Sequence, residues 1–180
     1  WKMHAYEDAA LPSQNGQTIS QPSTIADMLE TLDVKEGMNV LEVGSGTGYV
    51  CALLSHMVGK KGHVHGMERD EELAKGAHRT LHSELKLKNV EIHAGDGALG
   101  LEQHAPFDRI LVSCACPYIP PALFKQLKEK GRIIAPVGDD FTQQMVKMEK
   151  WKGKLMKSEI PGNLYEFVPL VSKTLKGFVE

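Results

Sequence analysis

The stretch "VLEVGSGTGYV" (residues 40–50) decides the fold. It opens as a β-rich apolar run, "NVLEV" (39–43), and passes through a glycine cluster. It then enters "YVCALLSHMV" (49–58), which reads as a helix ended by Gly59. Strand, glycine turn and helix in that order offer backbone N–H groups at a helix N-terminus, where a ligand can come close to the main chain. The dinucleotide fingerprint GxGxxG needs its third glycine for helix–strand packing. Here Gly44, Gly46 and Gly48 read GxGxG, and Tyr49 fills the third slot. The GK[ST] ending of a phosphate loop is absent too. Glu42 stands two places before the first glycine. A carboxylate there repels a pyrophosphate and suits a cationic ligand.

Strand-like and helix-like segments alternate outward from this loop. "HVHGME" (63–68) is a second strand, "DEELAKGAHRTLHSEL" (70–85) a helix with Asp70 at its start, and "NVEIHAGD" (89–96) a third strand. "DRILVSCA" (108–115) is a fourth strand, "PALFKQLKEKG" (121–131) a helix stopped by glycine, and "GRIIAPVG" (131–138) a fifth strand. Such alternation predicts an α/β fold, a parallel sheet with helices on both faces. After Gly138 the pattern changes. Residues 144–160 alternate apolar and polar around Lys152-Gly153, which predicts an antiparallel hairpin. "LYEFVPLV" (164–171) reads as one more strand, with Pro169 marking an edge or its end. We read one domain over 1–180: an N-terminal extension and first helix (1–32), a core (39–138) and an antiparallel C-terminal part (139–180).

Three carboxylates fall at successive strand ends: Glu42, Glu68 and Asp96, the last in "GDG" (95–97). Open α/β sheets bind ligands along that edge. Glu68 is placed to accept both hydroxyls of a ribose, and Asp96 to accept from an adenine amino group. Each also has a structural reading, as a loop cap, a solvated helix start or a turn aspartate. A positively charged nucleoside without phosphate fits all three, and S-adenosyl-L-methionine is that molecule.

Bulk composition is consistent with this. The 21 basic and 23 acidic residues nearly balance, so nucleic acid and anionic membranes are not expected partners. No apolar run approaches the ~20 residues that cross a bilayer, and no signal peptide is visible. The three cysteines, two in a C-A-C run, argue for a reducing cytoplasm and give a poor zinc signal, so no metal is expected. The eight histidines are scattered and read as structural, with His4 left open. The chain starts at Trp1, so upstream residues are left open. In "GQTISQP" (16–22), Ser20 stands before Pro22; the residues alone favour a cap for a helix over 21–32 against a substrate contact.

The chain resembles the protein-L-isoaspartate O-methyltransferases. The similarity rests on "AYEDAALP" (5–12), "GQTISQP", "VLEVGSGTGY" (40–49), "GDG", "APFDRILVS" (105–113), "GRIIAPVG" and "FVPLV" (167–171). Ser23 and "SCACPYIP" (113–120) depart from the commoner pattern.

The resemblance implies a Rossmann-like class I methyltransferase fold, a mostly parallel seven-stranded sheet with the usual order reversed at its last strands. It implies S-adenosyl-L-methionine as donor and S-adenosyl-L-homocysteine as product. The acceptor it implies is the free α-carboxylate of an L-isoaspartyl residue in a damaged protein or peptide, whose ester collapses to a succinimide. It moves Ser20 from cap to catalytic and substrate-binding residue, and gives Val168, Pro169 and Leu170 backbone contacts to the peptide. Cofactor contacts fall to Gln17, Thr18, Glu42, Gly44, Ser45, Gly46, Thr47, Gly48, Glu68, Asp96 and Gly97. A carboxylate acceptor is already ionised at neutral pH, so no general base is expected. A cytoplasmic monomer is expected. The alternatives are a related O-methyltransferase with another carboxylate acceptor and a non-catalytic domain that binds S-adenosyl-L-methionine.

Overall fold

The computed structural model describes residues 4, 6–13, 16–160 and 164–175. Two short antiparallel strands come first, β1 (Leu11–Pro12) and β2 (Thr18–Ile19), followed by helix α1 (Pro22–Leu32). The core then alternates β3 (Asn39–Val43), α2 (Tyr49–Val58), β4 (His63–Glu68), α3 (Glu71–Arg79), β5 (Val90–Ala94), β6 (Phe107–Val112), α4 (Pro121–Lys125) and β7 (Leu127–Gly138). The hairpin of β8 (Gln143–Trp151) and β9 (Lys154–Glu159) completes the sheet.

The seven-stranded sheet has the order β5-β4-β3-β6-β7-β8-β9. Its first five strands pair in parallel, and β8 and β9 add antiparallel. The sheet is mostly parallel with its last strands running outward in chain order, as the resemblance implies. The reversal over β3–α2–β4 and β6 puts the carboxyl ends of β3, β4 and β6 around one crevice, where such sheets bind ligands.

Central β3 is buried on both faces, so its side chains feed two cores. Val40 joins Ile25, Leu29 and Leu32 of α1 and Leu54 of α2, whereas Leu41 and Val43 join Phe107, Ile110 and Ile133 on the other side. Each fully buried side chain of this size contributes about 1.5–3 kcal/mol. Helix α1 buries Ile25, Met28, Leu29 and Leu32, the i, i+3, i+4, i+7 stripe of an amphipathic helix. Asp70 caps α3, its side chain accepting from the Glu72 and Leu73 N–H groups. The hairpin turns on Lys152 and Gly153 at φ 50° and 72°, both positive as a two-residue turn of this type requires.

Four expectations need correction. The helix predicted over 121–131 ends at Lys125, and Leu127 begins β7. Leu127 pairs with Phe107, and its carbonyl, which a continued helix would offer to Gly131, accepts from Lys150 Nζ at 2.8 Å. Tertiary pairing there overrides local helix preference. The fourth strand stops at Val112, so Ser113 lies at its tip instead of inside it. The strand predicted over 164–171 reduces to two isolated bridges, Tyr165 to Gln143 and Pro169 to Ala115. The segment crosses from one partner to another, and Pro169 has no N–H with which to extend a ladder. Finally, Ser20 is not the cap of α1: the N-cap position is Gln21, with no capping bond from its own side chain. Asp8 serves instead, Oδ1 accepting from the Ser23 N–H at 2.8 Å and Oδ2 from Gln21 Nε2 at 3.0 Å.

Candidate active site

The glycine loop bends over the tip of β4. The Gly44 and Ser45 N–H groups both donate to the Met67 carbonyl, at 2.9 and 3.0 Å. The Gly46 N–H donates to Glu68 Oε2 at 2.7 Å, and the Asp70 N–H to Glu68 Oε1 at 2.9 Å. Glu68 therefore holds the loop as well as closing its strand. Each carboxylate oxygen accepts more than one hydrogen bond, so both remain open to ribose hydroxyls. Gly46 has φ 52° and nothing within 4 Å of where a Cβ would sit, so its backbone lies open to the crevice. Gly48 serves another purpose: a Cβ there would lie 3.0 Å from Leu81 and 3.2 Å from Ala77. It allows α2 to start against α3, and the cavity walls do not include it.

Glu42 is almost completely buried. Ser113 Oγ donates to its Oε1 at 2.8 Å and Cys51 Sγ to its Oε2 at 2.9 Å. Burial is the main cause that raises its pKa to about 7, and the charge of Glu68 adds to the rise; the donors Cys51 and Ser113 oppose it. Burial likewise pushes the Cys51 and Cys114 thiols well up, so neither is a thiolate at neutral pH. Asp96 is engaged twice. Its Oδ1 accepts from the Ala98 N–H at 2.9 Å and its Oδ2 from Ser172 Oγ at 2.7 Å. Gly97, not Asp96, forms the adjacent cavity wall.

Three adjoining cavities occupy the crevice. One of ≈ 50 Å³ lies between Gln17, Ser20, Glu42, Ser45, Thr47 and Phe167. A second, of ≈ 380 Å³, runs past Gly44, Gly46, Glu68, Gly97 and the 168–171 segment. A third, of ≈ 200 Å³, opens between Ser20, Thr24, Tyr165, Phe167 and Val168. Thr18 and Ser113 line all three. The 164–171 segment forms one wall because Ala115 clamps it. The Ala115 N–H donates to the Val168 carbonyl at 2.8 Å, and the Leu170 N–H to the Ala115 carbonyl at 2.7 Å. The Val168 N–H and Pro169 carbonyl have no backbone partner among the described residues.

Of the site residues expected from sequence, all but Gly48 and Asp96 line these cavities. Ser113 was missed. Its signal was its place at the carboxyl end of a central strand, hidden by predicting that strand three residues too long.

The chain matches the model of the protein-L-isoaspartate(D-aspartate) O-methyltransferase (PCMT) family over residues 1–175. It is 41% identical over 167 residues to the protein-L-isoaspartate O-methyltransferase of Thermosipho melanesiensis, covering 93% of this chain and 83% of that one. Against the Vibrio campbellii protein of the same name it is 44% identical over 174 residues, covering 96% and 80%. Among solved structures, one protein-L-isoaspartate O-methyltransferase superposes with a TM-score of 0.86 at 31% identity, over 96% of this chain and 55% of its own length. A Plasmodium falciparum crystal structure in complex with S-adenosyl-L-homocysteine superposes at 0.80 with 27% identity, over 92% and 81%.

Proposed function

The chain belongs to the protein-L-isoaspartate(D-aspartate) O-methyltransferase family, and from that premise we propose how its residues divide the work. Its reaction is S-adenosyl-L-methionine-dependent methylation of the free α-carboxylate of L-isoaspartyl residues, which starts repair through a succinimide. One observation supports the division best. Thr18 and Ser113 line all three cavities, so the space beside Glu68 and the space beside Tyr165 and Val168 meet at neutral hydroxyls.

The residues of the crevice fit the donor. Ser45 Oγ is buried without a hydrogen-bond partner among the described residues, Gly46 faces open space, and Glu68 keeps free lone pairs. When bound, S-adenosyl-L-methionine supplies an electrophilic methyl group on a sulfonium. Glu68 would hold the ribose hydroxyls, and the loop 44–47, Gln17 and Thr18 would supply further contacts to the donor. Asp96 and Gly97 mark the adenine end. Glu42 sets negative charge against the donor's positive charge, and a bound cation favours its ionised form.

The acceptor carboxylate, with a reference pKa of ~3.5–4, needs no base. It needs orientation and exclusion of water. Ser20 is half-buried between the first and third cavities, with no side-chain hydrogen bond of its own among the described residues. Its hydroxyl aims the carboxylate, and being neutral it does not compete as an anion. The backbone at Val168, Pro169 and Leu170 receives the peptide; the Val168 N–H and Pro169 carbonyl are the groups left for it. Alignment of this kind is worth up to ~7–11 kcal/mol. Operation in the cytoplasm is supported by three buried free thiols. Among the described residues, no helix is long and apolar enough to cross a membrane.

The test is transfer of labelled methyl, recovered as base-labile ester, to an isoaspartyl peptide and to its normal aspartyl twin. Labelling confined to the isoaspartyl form is expected. Equal labelling of both would favour another carboxylate acceptor, and none a non-catalytic domain.

A further inference from the structure

Far from scattering, four histidines gather on one face of the sheet. His63 and His65 alternate along β4. Glu91 and His93 alternate along edge strand β5, with His65 in register opposite Glu91. The 3-10 turn Glu102–His104 lays His104 over them, its ring 4.2 Å from that of His65 and 5.2 Å from that of His93, centroid to centroid. His65 Nδ1 lies 3.2 Å from His93 Nε2, and Glu91 Oε2 lies 4.0 and 3.7 Å from these two atoms. One ligand atom from each of His65, Glu91, His93 and His104 falls within 4.8 Å of all the others.

Four tetrahedral ligands at ~2.0–2.1 Å from a zinc ion stand ~3.3 Å apart, so small side-chain rotations close this set onto one point. The surroundings agree. His63 Nε2 lies 3.5 Å from Glu91 Oε1, the oxygen turned from the cluster, as an outer partner orienting a ligating carboxylate would. Asn39 Nδ2 donates to the His104 carbonyl at 2.9 Å and pins the turn in place.

We propose that His65, Glu91, His93 and His104 form a four-ligand site for a divalent transition-metal ion, Zn²⁺ foremost. Three imidazoles and one carboxylate are donors that suit zinc, and four protein ligands leave no position for substrate, which marks a structural site. The ion would staple edge strand β5 and the 102–104 turn to β4. Glu68 lies three residues further along β4, roughly 10 Å from His65, so the methyl-transfer crevice is separate.

The test uses the tag-free chain, stripped with chelator and titrated with Co²⁺. Uptake of one equivalent with the intense visible absorption of tetrahedral cobalt is expected, displaced by Zn²⁺, and with a higher melting temperature in Zn²⁺. His93→Gln and Glu91→Gln, checked for native circular dichroism, should each weaken Co²⁺ binding at least roughly tenfold and leave isoaspartyl methylation unchanged. Absence of tetrahedral absorption in the unaltered chain would overturn the proposal. So would an undiminished signal in both variants, which places the ion elsewhere.

Discussion

Ser113 Oγ donates to Glu42 Oε1 at 2.8 Å and ties together the tips of two neighbouring strands, β6 and β3. The Ser113 N–H also donates to the Val43 carbonyl at 2.8 Å, so the backbone fixes the hydroxyl over the carboxylate. With Cys51 Sγ donating to its other oxygen, the Glu42 carboxyl is held in a fixed orientation inside the crevice wall.

Ser113→Ala removes one of the two donors that oppose the rise in the Glu42 pKa. A hydrogen bond to a charged group is worth about 1.5–3 kcal/mol, so S-adenosyl-L-methionine binding should weaken roughly tenfold or more at pH 7. The deficit should shrink as pH is raised to 8, because a larger share of Glu42 is then ionised in parent and variant alike. Titration calorimetry at both pH values checks this, and an unaltered dissociation constant at pH 7 would reject it.

Glu42→Gln should change how stability depends on pH. The carboxyl has a raised pKa in the folded chain, about 7 against 4.5, so folding favours its protonated form. Its contribution is most favourable below the unfolded value and is lost as pH rises through about 7. Without bound donor, the variant should therefore gain stability relative to the parent between pH 5 and 8. Urea midpoints across that range measure the difference; parallel profiles would show that Glu42 is ionised throughout.

Ser20→Ala should leave donor binding near normal, because the cavity beside Glu68 does not include Ser20. Turnover at saturating isoaspartyl peptide should fall roughly ten- to hundredfold, the scale on which small misplacements of a reactant act. Unchanged turnover would return Ser20 to a passive place in the wall.

Asp8→Ala should lower the melting temperature at pH 7, because α1 loses the cap supplied from outside its own first turn. The Ser23 N–H, then Gln21, holds the Asp8 pKa below its ordinary 3.8. The stabilisation is thus present above 3.8 and lost as pH falls through the lower folded value. Parent and variant should converge in thermal melts taken below that value. A gap that persists there would assign the effect to something other than the carboxylate.

Much of this protein was legible in local sequence. The spans 39–43, 49–58 and 63–68 coincide with β3, α2 and β4. Side-chain periodicity and glycine punctuation are properties of neighbours along the chain, readable without a fold. Glu68 and the glycine loop were legible for the same reason, since strand ends define the ligand edge of such a sheet. Ser113 escaped because a strand's end is set by where its partner stops pairing. The short α4 escaped because Lys150, 23 residues away from Leu127, claims the carbonyl a longer helix would use.

Sequence alone determined the alternating α/β order, the glycine loop and the acidic strand tips, because each is written in contiguous residues. Only tertiary structure decided that Asp8 caps α1, that Ser113 reaches Glu42, and that His65, Glu91, His93 and His104 converge. Those contacts depend on strand order and register, which are set by packing between segments far apart in the chain.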